Sequence, residues 1–121
     1  MVAHDREPAT VLIVEDELMI ATTLEMMLSD RGYRVVDPVS TVEDALAALE
    51  KVRPDVALLD YRLGGSTTEP LLQVLQERKI PVCMLTGYGR DSLPERYQNY
   101  PVLEKPFSLG ELLTELQHIF G

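Results

Sequence analysis

Three short, unbroken apolar runs constrain this chain more than any other feature: Val11-Leu12-Ile13-Val14, Val56-Ala57-Leu58-Leu59 and Val82-Cys83-Met84-Leu85. A strand with one wetted face alternates apolar and polar residues, so continuous β-branched runs predict strands covered on both faces, as in a parallel sheet. Residues 34–39 and 102–104 are weaker strand candidates, and Pro38 marks the first of these as an edge strand or an early ending.

Helical patterns separate these runs. Ile20, Leu24, Met27 and Leu28 recur at helical spacing, and Gly32 stands where that helix would stop. Ser40 with Glu43 reads as a capping box ahead of Ala45, Leu46, Leu49 and Val52. Pro70 opens a third helix through Leu71, Leu72, Val74 and Leu75. A fourth, over residues 91–98, is poor, with Pro94 early and a weak apolar face. Ser108 with Glu111 caps the last helix, whose face is Leu109, Leu112, Leu113, Leu116 and Ile119 or Phe120. Strand followed by helix five times predicts an α/β fold, a (βα)5 doubly wound five-stranded parallel sheet with helices on both faces. A tail over residues 1–9 is expected to precede one domain over residues 10–121, and a chain of 121 residues suits a single domain.

Composition narrows the setting. With 20 acidic against 11 basic residues the net charge is −9, which argues against direct nucleic-acid binding, since phosphate contacts demand clustered Lys and Arg. Solubility accounts for most of the acidic excess, and a basic protein partner or a cation suits the remainder. The lone Cys83 sits in an apolar run, where a buried, inert thiol is the usual case. No stretch approaches the roughly 18 apolar residues of a membrane span, and the polar start is no signal peptide, so neither membrane contact nor export is expected. The expected location is cytoplasmic.

Ligands of open α/β sheets bind outside the carboxyl ends of the strands. There the sequence puts Glu15-Asp16, Asp60, Thr86 and Lys105. Each has an ordinary reading alone: an acidic pair caps a helix, an aspartate starts a turn, a threonine caps, a lysine is solvated. Their convergence on one end of one sheet is harder to dismiss. Three carboxylates within about 5 Å repel by roughly 3 kcal/mol per pair at an effective dielectric near 20. A divalent cation relieves that repulsion, and an all-oxygen site suits Mg²⁺ or Mn²⁺. Lys105 adds a positive charge and Thr86 a hydroxyl donor, which are the parts that phosphoryl transfer to an aspartate nucleophile requires. His4 and His118 have no partners at metal-ligand spacing and read as surface residues.

Val-Glu-Asp at 14–16, Leu-Leu-Asp at 58–60, Leu-Thr-Gly at 85–87 and Lys-Pro-Phe at 105–107 resemble, in type and order, the motifs of response-regulator receivers. The resemblance runs from Val11 to Phe120. It implies a CheY-like, flavodoxin-like sheet of strand order 2-1-3-4-5, with Asp60 as the phosphoacceptor and Asp16 and Asp60 as direct metal ligands. Glu15 would act largely through water, and the backbone carbonyl of Arg62 would complete the protein ligands. Thr86 and Lys105 would contact the phosphoryl oxygens, Gly87 would leave access for the donor histidine, and the Lys105–Pro106 bond would be cis. The implied partners are a sensor histidine kinase or histidine phosphotransfer protein and a downstream protein. No enzymatic activity is implied beyond the domain's own phosphorylation and dephosphorylation.

The chain departs from the common receiver at one position. Three residues before the lysine, where receivers usually carry Tyr or Phe, stands Val102; Tyr88 instead follows Thr86-Gly87. With Asp60-Tyr61-Arg62-Leu63-Gly64-Gly65, this resembles the FAT GUY subfamily of single-domain receivers, although Met84-Leu85 replace Phe-Ala of its name. Two alternatives stand beside this reading. One is a receiver segment of a longer regulator or hybrid kinase. The other is a phosphatase of the haloacid dehalogenase class, which uses an acid two residues after its nucleophile, where this chain has Arg62.

Overall fold

A computed structural model describes residues 9–120. The expected tail, with His4, therefore lies outside the described residues except for Ala9. The apolar runs form β1 (Thr10–Val14), β3 (Val56–Asp60) and β6 (Val82–Thr86), joined at the edges by β2 (Arg34–Val35) and β7 (Val102–Glu104). All pairings in this sheet are parallel, in the order β2-β1-β3-β6-β7. Apart from a small separate hairpin, that is the expected 2-1-3-4-5 arrangement.

Successive residues of each central strand serve opposite cores, which is why the runs lack polar residues. Val11, Ile13, Val56, Leu58, Cys83 and Leu85 pack against Ala21, Leu24 and Leu28 of α1 (Leu18–Asp30) and Leu112 and Leu116 of α4 (Leu109–Phe120). Leu12, Val14, Ala57, Leu59 and Met84 face the other way, onto α2 (Val42–Lys51) and α3 (Glu69–Glu77). Cys83 is fully buried, and burial pushes its thiol up to about 12.

Four expectations change. The helix expected over residues 91–98 is replaced by two single turns of 3-10 helix, Arg90–Ser92 and Glu95–Tyr97. Pro94 lacks the N–H that a continuous helix needs at that point, so the two turns stay separate. They still cover the sheet through Leu93 and Tyr97, both buried. The strand expected over 34–39 pairs fully only at Arg34 and Val35; beyond Pro38 it touches β1 again through a single bridge, Val14 to Val39. The cap of α2 is Thr41, whose hydroxyl accepts from the Asp44 N–H at 3.0 Å, one residue later than the expected Ser40 box. Val52 then lies beyond α2 and is 38% exposed. Finally, β4 (Arg62–Leu63) and β5 (Ser66–Thr67) form an antiparallel hairpin where only a connection was expected. Its turn is Gly64-Gly65, with Gly64 at φ +59°, a conformation that favours glycine.

The remaining boundaries follow the sequence signals. Gly32 follows α1 at φ +89°, Pro70 lies in the first turn of α3, and Ser108 and Glu111 exchange the two bonds of a capping box at 2.9 and 3.0 Å.

Candidate functional site

Parallel register brings the strand ends level. Val14 pairs with Leu59, Asp60 with Leu85, and Thr86 with Glu104. Lys105 is drawn in behind β7 by a bond from its N–H to the Thr86 carbonyl, 2.8 Å. Four chain segments thus deliver Glu15-Asp16, Asp60, Thr86 and Lys105 to one end of the sheet. Glu15, Asp16 and Asp60 each offer a carboxylate oxygen, and these lie within 4.8 Å of one another. A cleft of about 410 Å³ opens above them, lined by Asp16, Asp60, Arg62, Thr86, Tyr88 and Lys105 among others.

Each carboxylate is held differently. Asp60 ends β3, where Thr68 pins the backbone: its buried hydroxyl lies 3.0 Å from the Asp60 carbonyl and 3.1 Å from that of Tyr61. Asp16 is exposed and accepts from the Gly64 N–H at 2.9 Å, so the unexpected hairpin steadies it. Glu15 is buried at the floor of the site, with Oε2 accepting from the Glu17 N–H at 3.1 Å.

Lys105 binds the set together. Its Nζ donates to Asp60 Oδ2 at 2.8 Å and lies 2.6 Å from Glu15 Oε1 and 3.7 Å from Glu17 Oε1. The Glu15 contact pairs the charges, yet the angles are wrong for a directed bond, and among the described residues no donor makes one to that buried oxygen. Burial pushes the Glu15 carboxyl above its usual value, and the lysine offsets only part of that rise. Burial also pulls the Lys105 ammonium down, but its bond to Asp60 and its ion pair with Glu15 outweigh this and hold it above its usual range.

The donor set fits a divalent cation. A buried, incompletely bonded carboxylate oxygen beside two further carboxylates is an arrangement that a hard cation with its waters completes.

The other residues singled out from the sequence lie around this centre. Thr86 is buried, and its hydroxyl accepts from the Tyr88 N–H at 3.1 Å and lies 3.4 Å from Ser92 Oγ. Gly87 is exposed, and a Cβ there would meet nothing within 4 Å. Tyr88 is 81% exposed at the cleft rim and does not close over the site. Val102 is buried in the core beside Met84. The Lys105–Pro106 bond is cis. Arg62 lies in the hairpin with an exposed side chain, its guanidinium 5.7 Å over the Tyr61 ring.

Four residues near the site escape a reading of strand ends. Glu17 stands beside the recognised acidic pair, just before a helix. Gly64 was legible only as a turn. Thr68 and Ser92 resemble ordinary polar loop residues, and nothing in local sequence marks them as partners of Asp60 and Thr86.

The sequence matches the response regulator receiver domain over residues 11–117. The transcriptional regulatory protein PdtaR of Mycobacterium tuberculosis is 28% identical over 114 residues, covering 91% of this chain and 56% of that protein. The phosphate regulon transcriptional regulatory protein PhoB of Pseudomonas aeruginosa is 31% identical, covering 91% and 51%. The chain spans about half the length of the curated relatives it matches. Among solved structures, SdrG from Sphingomonas melonis Fr1 superposes with a TM-score of 0.85 at 37% identity, covering 96% of this chain and 99% of that one. The chemotaxis response regulator CheY4 of Vibrio cholerae gives 0.80 at 28% identity, covering 93% and 98%. These matches do not resolve the narrower FAT GUY subfamily.

Proposed function

Since the chain belongs to the response regulator receiver domain family, we propose that it accepts a phosphoryl group from a phosphohistidine onto Asp60, in a Mg²⁺-dependent reaction, and signals to a protein partner by changing shape. The observation that carries this reading is Asp60 at the centre of the site, bonded to Lys105 at 2.8 Å and grouped with Glu15 and Asp16. A bound Mg²⁺ (or Mn²⁺), held by Asp16, Asp60 and the Arg62 carbonyl with Glu15 acting largely through water, would neutralise charge on the transferring phosphoryl group.

The chain's own residues do the rest. Asp60, fixed by Thr68 at its backbone, presents its carboxylate to the incoming phosphorus. The Lys105 ammonium moves from its carboxylate partners toward a phosphoryl oxygen, and the Thr86 hydroxyl becomes a donor to another. Thr86 then leaves its contacts with Tyr88 and Ser92, so the 3-10 segment behind it shifts. Val102 is small and buried, which argues against an aromatic rotamer at that position as the switch.

The donor is a sensor histidine kinase or a histidine phosphotransfer protein, and the domain acts catalytically only on itself. Membership of the receiver family supports a cytoplasmic location, and among the described residues no helix is long and apolar enough to cross a membrane. The SdrG match, near-complete on both chains, supports a single-domain regulator, whereas the half-length matches support a receiver within a longer one. The direct test is transfer from phosphorylated histidine kinases of the same organism. Label should pass to this chain with Mg²⁺ and stay on the kinase with EDTA; transfer indifferent to EDTA, or no transfer from any of the kinases, contradicts the reading.

A further inference from the structure

The start of α1 breaks a local rule. Short Ser, Thr, Asp and Asn side chains are favoured at the position before a helix, because they reach its free N–H groups. Here Glu17 occupies that position, and its side chain makes no capping bond. Its carboxylate lies instead 3.7 Å from Lys105 Nζ, although that ammonium already has Glu15 at 2.6 Å and Asp60 at 2.8 Å. The Glu17 side chain is 65% exposed, against 14% for those of Lys105 and Asp60. It lines both the carboxylate cleft and the neighbouring apolar groove formed by Met19, Ile20 and Phe107. Glu17 is therefore a surplus negative charge on the rim of the cleft that holds Asp60. Glu15, Glu17 and Asp60 lie within 4 Å of a single lysine and Asp16 joins the carboxylate group, so one divalent cation still leaves the site formally negative.

Resting on the reading of Asp60 as acceptor, we propose that Glu17 is a donor-specificity residue, whose rim carboxylate disfavours small anionic phosphoryl donors relative to a phosphohistidine presented by a protein. A free acyl phosphate carries its own charge into the field of Glu17 and has little other surface with which to compensate. A protein donor gains its binding energy from contacts away from the phosphoryl group. The bond changes are the same in every case. The Asp60 oxygen–phosphorus bond forms as the bond from phosphorus to the leaving group breaks, and the electron pair departs with acetate, ammonia or imidazole.

The test compares acetyl phosphate, a dianion at neutral pH, with phosphoramidate, a monoanion, at saturating Mg²⁺. Native protein, Glu17→Gln and Glu17→Asp are measured, with circular dichroism confirming that each folds. Glu17→Gln should accelerate phosphorylation by acetyl phosphate about three- to tenfold at low salt and by phosphoramidate less, with both gains shrinking as salt rises. Glu17→Asp keeps the charge and should stay near the native rates, and in Glu17→Gln transfer from a phosphohistidine protein should change less than transfer from acetyl phosphate. Equal, salt-independent acceleration with both small donors would assign Glu17 to positioning Lys105 and overturn the proposal. Unchanged rates would overturn it too, while leaving Asp60 as acceptor. Failure of native protein to accept phosphate from any donor strikes the reading of Asp60 itself, and this proposal with it.

Discussion

At the scale of single residues, Lys105 does more in the resting molecule than its place at a strand end implies. A lysine after a strand reads as a contact for an incoming phosphoryl group, with little part in folding. The structure also makes it the counter-charge of a buried carboxylate, 2.6 Å from Glu15 Oε1. Removing it leaves that carboxylate buried with a lone backbone donor, the Glu17 N–H. Lys105→Ala should therefore cost about 1–3 kcal/mol of stability at neutral pH without metal, the usual cost of stranding a buried polar group. The loss should shrink in acid, where Glu15 becomes neutral. Urea unfolding of both proteins at two pH values measures this, and equal stabilities at neutral pH would remove the resting role.

At the scale of elements, the cap of α2 and the segment after β6 carry separate expectations. Thr41→Ala should destabilise by about 1 kcal/mol, while Ser40→Ala should be near neutral, because only Thr41 accepts from the helix. Thermal melts of the two variants check this; the reverse order would restore the cap to Ser40. The segment from Gly87 to Tyr97 has only two single helical turns, strapped by Arg90, whose guanidinium donates to the carbonyls of Gln98 and Tyr100 at 2.5 and 2.7 Å. So little regular bonding predicts low local stability, and this segment should change most on activation. Backbone relaxation with and without beryllofluoride should show altered microsecond-to-millisecond exchange there; equal rigidity in both states, with change only elsewhere, would contradict it. These elements also mark the limit of what sequence discloses. The three central strands were legible because burial on both faces forbids polar residues. The weak helix was legible as weak, but its resolution into 3-10 turns depends on Leu93 and Tyr97 finding the core. Two-residue strands such as β4 and β5 leave no periodic trace, and Gly64-Gly65 signals a turn without saying what it joins. The α2 cap slipped by one because Ser40 and Thr41 are chemically interchangeable and each has an acid three residues on.

At the scale of the whole molecule, the site sets the fold's own forces against one another. The sheet buries Glu15 and gathers two further carboxylates around it, and a cation reconciles them. Burial raises Glu15 above its usual 4.5, so folding favours its neutral form. That contribution is present below 4.5 and lost as pH rises through the elevated value. A cation needs the carboxylate, so the stabilisation by Mg²⁺ should run the opposite way, growing as pH rises through the same window. At 100 times the dissociation constant Mg²⁺ should add about 2.7 kcal/mol at neutral pH, given that the unfolded chain does not bind. Melting temperatures should rise accordingly for native protein and much less for Asp16→Ala; equal shifts in both would put the metal elsewhere. The cation, the lysine and the buried carboxylate all bear on Asp60 as the carrier of the phosphoryl group. The most direct measurement is the position of the group after transfer from a phosphorylated kinase with Mg²⁺, trapped by reduction and mapped by mass spectrometry in native protein and in Asp60→Asn. Modification is expected at Asp60 in the native chain and should be lost in the variant, which keeps the residue's size and removes the nucleophilic charge. Undiminished phosphorylation of Asp60→Asn, or a native label on any other residue, would contradict it.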